Sequence, residues 1–187
     1  GGIGNMKKLI SLLLLMSYSV IADDNEIYVD QVGATANIDL EQLGSGNIIG
    51  GLNSAHGSMT PFDLDGTTMT LDVNQIGNNN KMLGDITSDT FTGIFDFDGD
   101  TNSYTIQVDP TNTYGADNSN VNVDVDGNTN TFSLDLATTA LASGADIDTI
   151  VQGDSNTVNI DLDVDSATNY IDLDGDSNTV NYDGDGY

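Results

Sequence analysis

A small residue returns every eleven positions through the first half of this chain: Gly33, Gly44, Gly66, Gly77 and Gly99, with Ala55 and Ser88 filling the two gaps. With strand-like alternation between, such a period constrains a chain to wind into stacked turns rather than fold around one globular core. In the second half the main glycines are Gly127, Gly153 and Gly175, so the spacings from Gly99 become 28, 26 and 22 residues. These equal one turn of about 22 residues with about six, four and zero residues added, which solenoids accept between strands. Asp109-Pro110-Thr111 and Ala142-Ser143-Gly144 are the expected insertions, since Pro110 cannot donate to a ladder.

The intervening residues alternate. Four before each glycine stand Val29, Leu40, Phe62, Val73, Phe95, Val123, Thr149 and Ile171; two before stand Gln31, Gln42, Leu64, Gln75, Phe97, Val125, Val151 and Leu173. Between them lie Asp30, Glu41, Asp63, Asn74, Asp96, Asp124, Ile150 and Asp172. One wet and one dry face at period two is the pattern of a half-buried strand. The expected fold is therefore all-β, a parallel β-solenoid with two strands of about five or six residues per rung of about 22, and about seven rungs.

The turns share the spacing Gly-x-x-Asn, at Gly44 and Asn47, Gly77 and Asn80, Gly99 and Asn102, Gly127 and Asn130, Gly153 and Asn156, and Gly175 and Asn178. Glycine permits the positive φ of a sharp corner, and asparagine tolerates left-handed geometry while bonding its own backbone. Stacked asparagines are also expected to bond one another along the solenoid, as amide ladders do in cross-β assemblies.

Lys7 and Lys8 precede the apolar run Ile10 to Met16, and small residues follow at Val20-Ile21-Ala22, so positions 1–22 read as upstream residues plus a secretory signal peptide and 23–187 as the repeat domain. All 30 acidic residues lie beyond that segment, against Lys81 and no arginine. Nucleic-acid binding requires clustered cations and is excluded, as is attraction to an anionic membrane surface. With no cysteine, a secreted chain of this kind has no disulfides to hold it. No catalytic residue is expected: the acids follow strand alternation, and His56 beside Ala55 and Gly57 reads as a solvated turn residue.

Gln42-Leu43-Gly44-Ser45-Gly46-Asn47 and Gln75-Ile76-Gly77-Asn78-Asn79-Asn80, with Gln31 eleven residues before Gln42 and Asn25 in the place of a leading serine, resemble the repeat of the curlins. Curlins are bacterial extracellular amyloid subunits whose repeat reads Ser-x5-Gln-x-Gly-x-Gly-Asn-x-Ala-x3-Gln. The resemblance is close over Asn25 to Lys81 and looser afterwards, where only Gly-x-x-Asn persists. It implies a secreted, self-assembling fibre subunit of a biofilm matrix or surface coat, with copies of itself and curli-type secretion and nucleation factors as partners. Gln31, Gly33 and the Gln, Gly and Asn positions above would carry repeat and assembly.

Stacking places equivalent residues about 4.8 Å apart, so Asp96 with Asp124 and Asp98 with Asp126 become like-charge neighbours. Each such pair costs about 1 kcal/mol even at the dielectric of water. Asp98-Gly99-Asp100-x-Asn102, Asp126-Gly127-Asn128-x-Asn130 and Asp174-Gly175-Asp176-x-Asn178 gather hard oxygen donors at corners. Calcium suits such donors, which makes Asp96, Asp98, Asp100, Asp126, Asp172, Asp174 and Asp176 the candidate ligands, without the closing glutamate of an EF-hand. No cofactor is required by the fold. The alternative function is a calcium-stabilised, monomeric acidic solenoid acting as adhesin or coat protein.

Overall fold

Strands that are wet on one face and dry on the other satisfy their backbones here by pairing with the strand one turn away. The computed structural model describes residues 26–44, 47–51, 60–77, 80–99, 102–109, 116–137 and 143–185. Positions 1–22, read above as upstream residues plus a signal peptide, and Asn25, Ala55, His56 and Asp100 lie outside these residues. Among them every regular element is a strand, and all belong to one sheet wound as a parallel β-solenoid of about four turns.

The chain enters through the short strands β1 (Glu26–Ile27), β2 (Asp30–Val32), β3 (Thr35–Leu43) and β4 (Ile48–Ile49), followed by the long strands β5 (Phe62–Ile76) and β6 (Lys81–Asp98). From the first half of β6 one series descends through β7 (Ser103–Val108), β9 (Thr131–Leu136), β11 (Thr157–Asp163) and β13 (Thr179–Asp185). From its second half another descends through β8 (Ser119–Asp126), β10 (Ala145–Gln152) and β12 (Ala167–Asp174). All pairings are parallel and in register: Lys81 with Ser103, Ser103 with Thr131, Thr131 with Thr157, and Thr157 with Thr179. The steps between these partners contain the 28, 26 and 22 residues read from the glycines. The added residues fall between Val108 and Ser119 and between Leu136 and Ala145, so the ladders on either side are unbroken.

The eleven-residue grid does not run straight through Ala55. Gln42 pairs with Gln75, 33 residues on, and the Gly44 amide donates to the Ile76 carbonyl at 2.9 Å. Ile49 and Phe62 lie thirteen residues apart, whereas their partners Met82 and Gly84 are two apart, so eleven residues are spliced into this turn. The splice closes where the Gly51 amide meets the Thr60 carbonyl at 2.7 Å. An insertion as long as half a repeat keeps the glycine spacing and hides itself from a periodicity reading.

Strand lengths also differ from the expected five or six residues, because β5 and β6 run for 15 and 18 residues through one corner. Thr67-Thr68 in β5 and Asp89-Thr90 in β6 are successive non-buried residues. Two outward positions in a row shift the phase of the alternation, so that both limbs of the bent strand present apolar side chains to one core. Gly66, paired with Ser88, sits at that bend.

The inward rows, Phe62, Leu64, Leu71, Val73, Met82, Ile86, Phe91, Phe95, Phe97 and their successors down to Leu162, form a continuous buried core. Phe97 stacks on Tyr104 across it, with centroids 3.6 Å apart and planes within 6°. Gly84 and Gly93 occupy inward positions where a Cβ would come within 2.2 Å of the Phe62 ring and 2.5 Å of the Phe95 ring, so the aromatic side chains fill their neighbours' space. Each buried large apolar side chain contributes about 1.5–3 kcal/mol, which outweighs the cost of one outward carboxylate pair.

At the other corner the glycines stack directly. Gly77 has φ 140° and Gly127 φ 135°. A Cβ on Gly77 would lie 1.5 Å from the Gly44 carbonyl oxygen, whereas at Gly33 the nearest atom would be a Gln31 nitrogen at 3.4 Å. Gly77→Ala is therefore expected to destabilise the fold by about 3 kcal/mol or more, and Gly33→Ala to be near neutral. Thermal unfolding of the two variants followed by circular dichroism measures this; equal midpoints would refute the difference.

Candidate functional site

The Gly-x-x-Asn corners form a continuous polar spine. The backbone amide of Asn80 donates to Asn102 Oδ1 at 2.5 Å, that of Asn102 to Asn130 Oδ1 at 3.0 Å, that of Asn130 to Asn156 Oδ1 at 2.7 Å, and that of Asn156 to Asn178 Oδ1 at 2.7 Å. The ladder thus runs from side chain to backbone, not from amide to amide as the sequence suggests. The Asn47 and Asn80 Nδ2 groups close their own corners on the Gly44 and Gly77 carbonyls, each at 3.1 Å. The asparagines do not take the left-handed conformation; Thr129, Ser155 and Ser177, one residue earlier, have φ of 62–63°. Asn156 uses both ends of its amide, its Oδ1 accepting from the Asn130 backbone and its Nδ2 donating to the Gly127 carbonyl at 3.2 Å, whereas the buried Asn102 Nδ2 and Asn130 Nδ2 have no partner.

A second ladder escaped the sequence reading. Asn128 Oδ1 accepts from the Asp154 amide at 2.8 Å, and Asp154 Oδ1 from the Asp176 amide at 2.7 Å. The signal was Asp or Asn directly after Gly127, Gly153 and Gly175. Asn128 and Asp154 at that position each accept the next turn's amide, which occupies one oxygen of Asp154 and the backbone of Asp176.

Of the glutamines, Gln42 and Gln75 are inside the core, 3% and 0% exposed. Gln75 Nε2 donates to Gln42 Oε1 at 2.7 Å, and Gln42 Nε2 donates to the Ile48 carbonyl at 3.0 Å. The next residue of that column is Phe97, and Gln75 Oε1 has no partner. The glutamine ladder thus ends where the aromatic core begins. Gln31 belongs to the opposite strand series, pairing with Leu64, and lies half-buried at the first turn.

The outward acids form columns. Asp30, Asp63 and Asp85 are consecutive partners, as are Asp135, Asp161 and Asp183. Gln107 separates the two runs, and its Nε2 donates to Asp135 Oδ2 at 3.3 Å. On the other strand series Asp96 pairs with Asp124 and Asp98 with Asp126, as the spacing predicts. Asp172 and Asp174 are set apart from these by Ile150 and Gln152 of the intervening turn. The candidate calcium ligands therefore divide into Asp96, Asp98 and Asp126 on neighbouring strands, and Asp172, Asp174 and Asp176 at the last turn. Among the described residues no three acidic or histidine side chains converge on one point that could hold a metal ion.

Burial, reinforced by like-charged neighbours, raises several of these carboxyls above the usual carboxylate range. For Asp63 the neighbours are Asp30 and Asp65, for Asp85 they are Asp63 and Asp109, and for Asp124 they are Asp96 and Asp126. Burial likewise pushes the Tyr104 phenol far up, so it stays neutral inside the core.

Both ends of the solenoid are open among the described residues. β1, β2 and β3 pair on one side only, and so do β12 and β13. Ile27, Val29, Ala36, Ile38 and Leu40 at one end, and Ile171 and Leu173 at the other, belong to the core row yet are only partly buried. Asn169 Nδ2 donates to the Tyr182 hydroxyl at 2.8 Å across the last turn. Asn178 Nδ2 is buried without a partner, as are Asn102 Nδ2 and Asn130 Nδ2 within the spine.

Comparison with known family models, with curated proteins and with solved structures finds no match. The chemistry of this surface is therefore read from its own geometry: two open sheet edges, an unfinished amide spine and columns of carboxylates.

A carboxyl whose folded pKa is raised binds its proton more tightly when folded, so the stability it contributes is present below the unfolded value and lost as pH rises through the folded one. The unfolding midpoint is accordingly expected to rise as pH falls from about 7 to about 4, by about 2–4 °C per kcal/mol recovered. Asp85→Asn should raise the midpoint at neutral pH and flatten the profile. A midpoint that falls monotonically over this range in calorimetry would contradict the assignment.

Proposed function

We propose that this chain is a secreted structural subunit of a curli-like extracellular fibre, joined to further copies through the ends of its solenoid. The observation that carries the reading is the pair of ends that are open among the described residues: unpaired strand edges flanked by half-exposed core residues at both the first and last turns. An unpaired row of N–H and C=O groups templates another strand, and a parallel in-register stack already supplies the geometry. The curlin-like glutamines support it further, since Gln42 and Gln75 stack by hydrogen bonds within the core.

In the finer reading, the coil has two strands per rung and seven rungs. The column Glu26, Ile48, Lys81, Ser103, Thr131, Thr157 and Thr179 supports that count. Export through a signal peptide, placement at the cell surface, curli-type secretion and nucleation partners, and a purely structural, non-enzymatic role complete the proposal. A calcium-stabilised monomer is the second reading, favoured by the stacked pairs Asp96 with Asp124 and Asp98 with Asp126.

Negative-stain microscopy and fibre diffraction of the purified chain, with calcium or with chelator, separate the two. The fibre reading expects thioflavin-positive filaments with a reflection near 4.7–4.8 Å in both conditions. A soluble monomer that keeps its β-signal only with calcium would instead establish the second reading.

A further inference from the structure

Continuing the observed registers across a junction between two copies brings together the most repulsive column of the molecule. Asp30, Asp63 and Asp85 begin this column, Gln107 interrupts it, and Asp135, Asp161 and Asp183 end it. Within one chain no run in this column exceeds three carboxylates. A second copy laid on β13 in the same register sets its Asp30 on Asp183, fusing two runs of three into six consecutive carboxylates with no neutral residue between. The other strand series, whose column reads Glu41, Asn74, Asp96, Asp124, Ile150 and Asp172, has one strand fewer, so a copy seated on β13 does not at the same time bring its Glu41 against Asp172.

We propose that end-to-end joining is gated by protonation of the carboxylates stacked at this junction, with a second copy of the chain as the partner and acidification as the trigger. The inference rests on the fibre reading. Every charged group described around the junction reinforces the repulsion. Asp183 faces Asp161 on β11; Asp30 faces Asp63 and Asp65 on β5. Lys81, the one lysine beyond the signal segment, stands in a different column, with Ile48 and Ser103.

Inside the chain, burial first and the like-charged neighbours second raise Asp63, which lies between Asp30 and Asp85, and Asp85, which stacks on Asp63. A junction that lengthens the run extends that environment to Asp183 and Asp30. Protonation of one partner turns a like-charge contact into a carboxyl–carboxylate contact, which can hydrogen-bond along the column.

The test is filament growth by the purified chain, followed by thioflavin fluorescence and checked by microscopy, at about pH 7.5 and about pH 4 and at one ionic strength. Growth is expected to be at least tenfold faster at the lower pH. At pH 7.5, Asp183→Asn should accelerate growth about fourfold and Asp183→Lys on the order of twentyfold, as removal or reversal of one unit-charge pair about 4.8 Å apart in water requires. Asp124→Asn, which removes the same charge away from the junction, should change growth less than twofold. Equal growth at both pH values, or an Asp124→Asn effect matching that of Asp183→Asn, overturns the gate and leaves the fibre reading standing. Absence of filaments at every pH from about 3 to 8 overturns both.

Discussion

Parallel, in-register pairing at a spacing of about 4.8 Å is the constraint on which the whole molecule depends. Once Lys81 pairs with Ser103 and Thr92 with Asn120, each position of the repeat becomes a column, and the merits or costs of a side chain are multiplied along it. Apolar side chains stacked this way make a continuous core, asparagines a spine of backbone hydrogen bonds, and carboxylates a line of repulsion. Fold stability therefore reflects competition between columns more than any single contact. The buried rows win because each large apolar side chain contributes more than one exposed charge pair removes.

Much of this was legible in the chain. Inward and outward positions followed from period-two alternation, and the insertions of six and four residues followed from the glycine spacings, because both are local consequences of one strand pattern. The pairing of Asp96 with Asp124 and of Asp98 with Asp126 came from the same count. Two features were not legible. The splice between Gly50 and Thr60 matches half a repeat in length, so only strand pairings such as Gln42 with Gln75 and Phe62 with Gly84 expose it. The role of asparagine was visible as a spacing but not as a geometry: the positive φ falls on Thr129, Ser155 and Ser177, and the side-chain oxygen serves the preceding turn's amide.

The corners have a direction. Each asparagine oxygen serves the amide of the turn before it, and the amides of Gly77, Gly99, Gly127 and Gly153 all donate to carbonyls of the turn that follows. The two ends of the solenoid are consequently different surfaces. The first turn presents Asp30, Asp39 and Glu41 among half-buried aliphatic residues, while the last presents Tyr170, Asn178, Tyr182 and Asp183.

The spliced segment has a further consequence, for how the chain finds its structure. Because eleven residues equal half a repeat, a thread that wound that segment in as another half turn would bring Gln42 against Leu64 and Gly44 against Gly66. The glycines and the outward acids tolerate that slip. The glutamine does not: it would lose the Gln75 amide that meets its oxygen at 2.7 Å and bury that oxygen unpaired, at a cost of about 1–3 kcal/mol. One buried amide pair thus adds to the preference of the sequence for the observed register.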